Sequence, residues 1–168
     1  MNKAVVLGCN YYIGLRIIRS LGKKGVHVVA GDYDFSDSYC AKSKYISEFL
    51  KINTLDKIDD KACCDLLEYG KNQEEKPVLL PAHDKYVEFI DNYYAELSKY
   101  FLISQAPGKL NSKLVDKNEL YILACENGVK LPLTVNINES DFTEKIEKIG
   151  FPCIIKPFDT VKFTKVFR

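Results

Sequence analysis

The apolar residues of this chain fall in short blocks, and between them run longer stretches with helical spacing. Residues 4–7, Ala-Val-Val-Leu, form an apolar run stopped by Gly8, the pattern of a strand buried on both faces. Ile13, Ile17, Ile18 and Leu21 then share one helical face, which predicts a helix over 13–24 ended by Gly25. Residues 26–30 read as a second buried strand, closed by Gly31-Asp32, and residues 45–50 as a short third. An amphipathic helix follows over 56–69, with Thr54 or Asp56 as its cap. Residues 78–80 form another strand ending at Pro81. Val87, Ile90, Tyr94 and Leu97 line one face of a helix over 83–100, and residues 101–103 make a last short strand. Short strands joined by helices predict an α/β fold: an open, mostly parallel, Rossmann-like sheet with helices on both faces, over residues 1–104.

The pattern breaks at Gln105-Ala106-Pro107-Gly108, which reads as a linker. Beyond it the chain predicts a helix over 111–127, a strand over 131–135, a helix over 140–149 and a buried strand that ends Ile154-Ile155-Lys156-Pro157. Residues 105–168 thus begin a second domain. With only these elements it would expose a sheet edge and an uncovered face, so the natural protein is expected to continue past Arg168.

Composition narrows the function classes. At 168 residues with 46% hydrophobic content the chain can bury a core. A net charge of +1 gives no broad field for nucleic acid or an anionic membrane surface. No apolar run approaches the length of a membrane span or a secretory core. Six cysteines without a Cys-x-x-Cys pair, and only two histidines, form no zinc pattern; reduced thiols in the cytoplasm are the expectation. Nothing in the residues sets the oligomeric state, and a homo-oligomer is compatible with them.

Two loops follow strands at the edge where open α/β sheets bind ligands. The first, Gly8-Cys9-Asn10-Tyr11-Tyr12-Ile13-Gly14, lies where a dinucleotide fingerprint would lie, and Asp32 ends the next strand where a ribose-binding acid would be. The middle glycine is Asn10, however, and two tyrosines stand where a pyrophosphate would approach. The loop better suits a small substrate, with Asn10 and backbone amides holding a carboxylate. The second loop is Pro81-Ala82-His83-Asp84-Lys85, whose His83 and Asp84 are candidate substrate contacts. The plain alternatives are that Asn10 shapes a tight turn, Asp32 is solvated, Asp84 caps the next helix and His83 is a surface histidine.

Lys156 would place a charge at the end of a buried strand, a costly position without an anion. A second marked lysine stands in Asp116-Lys117, on a helix closed by Gly128-Val129-Lys130-Leu131-Pro132-Leu133-Thr134. The acidic–lysine pair, this turn, and Gly150-Phe151-Pro152-Cys153-Ile154-Ile155-Lys156-Pro157 together resemble the start of the ATP-grasp domain of carboxylate–amine ligases. Carbamoyl-phosphate synthase large chains and D-aspartate-type ligases share this layout, preceded by an open α/β domain. The resemblance implies an ATP-dependent ligase that activates a carboxylate as an acyl phosphate for attack by an amine. It implies that Lys117 and Lys156 contact ATP phosphates. It also implies Mg²⁺, with ligands beyond Arg168, so that residues 1–168 alone would be inactive. Lys165 is a further candidate phosphate contact. The alternative is a non-catalytic nucleotide- or dinucleotide-binding Rossmann-like module carried by the Gly8 loop and Asp32.

Overall fold

The computed structural model of the chain describes residues 3–36, 38, 40–53, 59–157, 163 and 166. It divides into two compact units, Met1–Ser112 and Lys113–Arg168.

The first unit is built on five strands: β1 (Lys3–Leu7), β2 (His27–Asp32), β3 (Glu48–Lys51), β4 (Val78–Pro81) and β5 (Leu102–Ile103). All pair in parallel, in the order β3-β2-β1-β4-β5. The connections are α1 (Tyr12–Gly22), α2 (Asp59–Lys71), α3 (Asp84–Asn92) and α4 (Tyr94–Leu97). This is the open Rossmann-like α/β sheet. Alternation along the central strands divides its core. Val5, Leu7 and Val29 join Ala62, Cys63 and Leu66 of α2, Phe89 and Ile90 of α3, and Leu97 of α4. Val6, Val28 and Ala30 turn to the opposite face and pack with Ile18 of α1, Cys9, Cys40 and Ala82. Both faces are therefore covered, and a near-continuous apolar run is what such a central strand needs.

Local chemistry moves some boundaries. The helix expected over 83–100 is two helices, interrupted at Tyr93, whose backbone sits at φ −110°, ψ 22°. The Tyr93 ring packs on Phe89 at 5.1 Å and its hydroxyl donates to Asp60 at 2.6 Å, which pins the break. The proposed caps Thr54 and Asp56 lie outside the described residues.

In the second unit the helix expected over 111–127 is also split. Between α5 (Leu110–Val115) and α6 (Lys117–Glu126), Asp116 accepts from the amides of Asn118 (2.8 Å) and Glu119 (3.1 Å), capping α6. A side chain that bonds its own backbone in this way starts a new helix rather than continuing the old one. The last described helix is α7 (Phe142–Ile149). The strands expected over 131–135 and at the Lys156 run are absent: both stretches are irregular. Nor is the latter buried, since Ile154 and Ile155 are 81% and 90% exposed. A strand needs a neighbour to take up its amides and carbonyls, and no strand lies among the described residues of this unit. Lys165 lies outside the described residues. Among those described, no helix is long and apolar enough to cross a membrane, and all six cysteines are free thiols.

Candidate functional site

The strand order reverses direction between β1 and β4, so the loops that leave their carboxyl ends diverge to opposite faces and open a crevice there. The two strand ends are tied together by the Ala82 amide, which donates to the Leu7 carbonyl at 2.8 Å. Gly8 turns the chain out of β1 with φ +85°, a left-handed conformation that glycine adopts without strain. A Cβ there would meet the Tyr86 ring at 3.0 Å and His83 Cβ at 3.4 Å, so the turn passes close under the start of α3. Gly14 brings α1 equally close, because a Cβ on it would lie 2.9 Å from the Gly8 carbonyl oxygen.

Asn10 and Asp32, which the sequence marks separately, meet. Asp32 accepts from the Asn10 amide at 2.8 Å, from Asn10 Nδ2 at 3.3 Å and from the Tyr33 amide at 2.9 Å. Tyr86 adjoins it, each acting on the other's ionisation. Asp32 is only 1% exposed. Burial raises its pKa above the ordinary carboxylate value, and the surrounding amides offset part of that rise. The solvated Asp32 of the plain alternative is thus incorrect: this carboxylate braces the β1–α1 turn from within. Asn10 Nδ2 is correspondingly engaged, and a ligand carboxylate would compete with Asp32 for it.

On the other wall, His83 is the N-cap of α3, its Nδ1 accepting from the Lys85 amide at 3.1 Å. That places the imidazole proton on Nε2 in the neutral ring. The cap role falls to His83 rather than to Asp84, which sits exposed in the first helical turn, where a carboxylate suits the positive end of the helix. Tyr11 reaches across the crevice and packs on His83, ring centroids 4.3 Å apart and tilted by 33°. Tyr12 beside it is 68% exposed. The amino end of α1 faces this region with no side-chain cap and no acidic residue in its first turn. The crevice therefore has an aromatic–imidazole wall and a positive helix end, with the Asp32 carboxylate held internally.

Tyr11 is the site residue that sequence reasoning passed over, treating it only as an obstruction. Its signal was the aromatic pair directly after the turn. The two lysines lie in the second unit. Lys117 is the first residue of α6 and partly buried, while Lys156 is exposed in the irregular segment after Gly150. Asp116 occupies the amides at the start of α6, so an anion approaching Lys117 would be met by the ammonium rather than by those backbone donors. Among the described residues no group of three His, Cys, Asp or Glu is placed to hold a metal ion, which leaves Mg²⁺ without a site here.

No protein-family model matches the chain, and no curated protein is significantly similar to it.

Proposed function

We propose that this chain forms the amino-terminal part of an ATP-dependent carboxylate–amine ligase. In this reading the first unit binds a small substrate and the second contributes cations to the nucleotide phosphates. The observation that carries it is the crevice between the β1 and β4 loops. It is lined by Tyr11 and His83 beside an uncapped helix start. Its acid is turned inward rather than offered to a ribose. A dinucleotide would need that carboxylate and room for a pyrophosphate; a small carboxylate needs only the helix end and a neighbouring donor. His83 Nε2–H is such a donor in the neutral ring.

Lys117 and Lys156 supply the nucleotide side of the argument. ATP, when bound, supplies the phosphoryl group that turns a carboxylate into an acyl phosphate. The two ammonium groups would hold its phosphates and balance charge shifting toward the leaving oxygen. For Mg²⁺ the described residues offer no ligand set. The exposure of Leu133, Ile154 and Ile155 fits a lobe whose apolar residues are completed by further packing.

Calorimetric titration tests this reading. ATP should bind the chain, and Lys117→Ala or Lys156→Ala should each weaken that binding, while Asp32→Ala should leave it unchanged if the variant folds. Binding of NAD, lost in Asp32→Ala, would transfer the chain to the dinucleotide-binding class. Absence of ATP binding altogether would remove the ligase reading.

A further inference from the structure

Directly behind the crevice, three buried polar side chains form a cluster that no step above uses. Cys9, between Gly8 and Asn10, and Cys40, in the connection from β2 to β3, are both 0% exposed and belong to the same core cluster. Ser38 joins them. Its hydroxyl donates to the Cys9 carbonyl at 3.0 Å, lies 2.9 Å from Cys40 Sγ, and accepts from the Cys40 amide at 3.3 Å. The side chains of Cys9 and Cys40 adjoin in that cluster, each being the chief influence on the other's ionisation. The Cys9 proton has an acceptor in the Val6 carbonyl, at 3.0 Å. Two thiols and a hydroxyl, converging inside an apolar core, are more than packing requires.

From this arrangement we infer that Cys9 and Cys40 form a reversible disulfide, a redox modification site that fastens the β1–α1 turn to the β2–β3 connection. The inference is independent of the ligase reading. The oxidant is a peroxide, small enough to enter a site that excludes bulky disulfides such as oxidised glutathione. Cys40 is the attacking thiol. Its contact with Cys9 draws its pKa down to about 7 against the opposing effect of burial. Cys9 moves the other way: its contact with Cys40, and then burial, keep its proton on well above the ordinary thiol range.

The chemistry balances. The Cys40 thiolate attacks one oxygen of hydrogen peroxide, an S–O bond forms, the O–O bond breaks, and the departing hydroxide takes the proton that Cys40 released. The resulting sulfenic acid is attacked by the Cys9 sulfur. The S–S bond forms, the S–O bond breaks, and hydroxide leaves as water with the Cys9 proton. Two thiols and one peroxide give one disulfide and two waters, with the two electrons passing from sulfur to oxygen. Cys9 neighbours Asn10, whose amide braces Asp32, so closing the bond would alter the floor of the crevice.

Peptide mapping of the full chain provides the test. The reduced protein is treated with stoichiometric hydrogen peroxide, its remaining thiols are blocked with N-ethylmaleimide, and tryptic peptides are weighed. The expected product is a Cys9–Cys40 linked peptide, two hydrogens lighter than the reduced pair and released by dithiothreitol. Recovery of both residues as blocked thiols, while exposed Cys64 and Cys125 are oxidised, would overturn the inference. In Cys9→Ser, a dimedone adduct should appear on Cys40 after peroxide; in Cys40→Ser none should appear on Cys9, and the reverse pattern would refute the assigned roles. Should either variant fail to fold, the wild-type map still decides whether the disulfide forms.

Discussion

Glycine at position 8 answers two demands at once, a positive φ and a ring pressed against its α-carbon. Gly8→Ala should therefore cost about 1–3 kcal/mol, the scale of backbone strain at such positions, in urea unfolding. Asp32 makes a prediction of the opposite kind. Its folded pKa lies above the ordinary value of 3.8, chiefly through burial. Its contribution to stability is thus fully present below that value and is lost as pH rises through the folded pKa. Asn resembles the protonated acid in charge. The stability of wild type relative to Asp32→Asn should decline as pH rises from below 3.8, which urea midpoints across a pH series would reveal; a difference that grows with pH contradicts this. The sequence marked both residues but misread the second. Spacing along β2 locates the carboxylate, whereas two of its donors are the backbone amides of Asn10 and Tyr33, and backbone amides carry no residue signature.

At the scale of elements, the β1–α1 turn and the start of α3 are joined through Tyr11 and His83. A double-mutant cycle on Tyr11→Ala and His83→Ala should return a coupling of about 0.5–1.5 kcal/mol, the value of an aromatic pair beyond its buried area. His83→Ala alone should cost roughly 1 kcal/mol more through loss of the cap. A coupling indistinguishable from zero would mean that the two walls are independent. Hydrophobic periodicity located every strand of the first unit, because apolar runs bounded by Gly8, Gly31 and Pro81 admit few other readings. It failed at Tyr93 and Asp116, where the hydrogen bonds of one side chain accompany a break in the helix without disturbing the apolar pattern. It also failed at Ile154-Ile155, where strand propensity found no partner strand among the described residues.

For the whole molecule, the segment leading up to the division after Ser112 is held within the first unit. Asp91, 5% exposed at the end of α3, accepts from Gln105 Nε2 (3.0 Å), Asn111 Nδ2 (3.2 Å), Ser112 N (2.7 Å) and Ser112 Oγ (2.8 Å). Residues 105–112, of which 105–108 read from sequence as a linker, are thus bound to the first unit. Asp91→Ala should destabilise that unit by about 1–3 kcal/mol by leaving half-buried donors without their acceptor. It should also speed tryptic cleavage after Lys109; an unchanged digestion rate would show the segment to be held by something else. The first unit owns its core, whereas no described residue of the second is buried. A chain of residues 1–112 should accordingly keep a cooperative thermal transition close to that of residues 1–168. Neither Asp91 nor its donors stand out in the sequence, since a polar cluster assembled from distant positions has no local pattern.

The central place of β1 also bears on the order in which the chain can fold. It is the first of the five strands to leave the ribosome, yet one of its two neighbours, β4, follows only after α1 and α2 have been made. Until Val78 arrives opposite Ala4, one side of the most apolar strand has no ladder to join. Pairings so distant in sequence are slow to form, and the waiting edge can be captured by another chain. Nascent copies should therefore be most vulnerable to aggregation, and most dependent on chaperones, in the interval between emergence of β2 and emergence of β4.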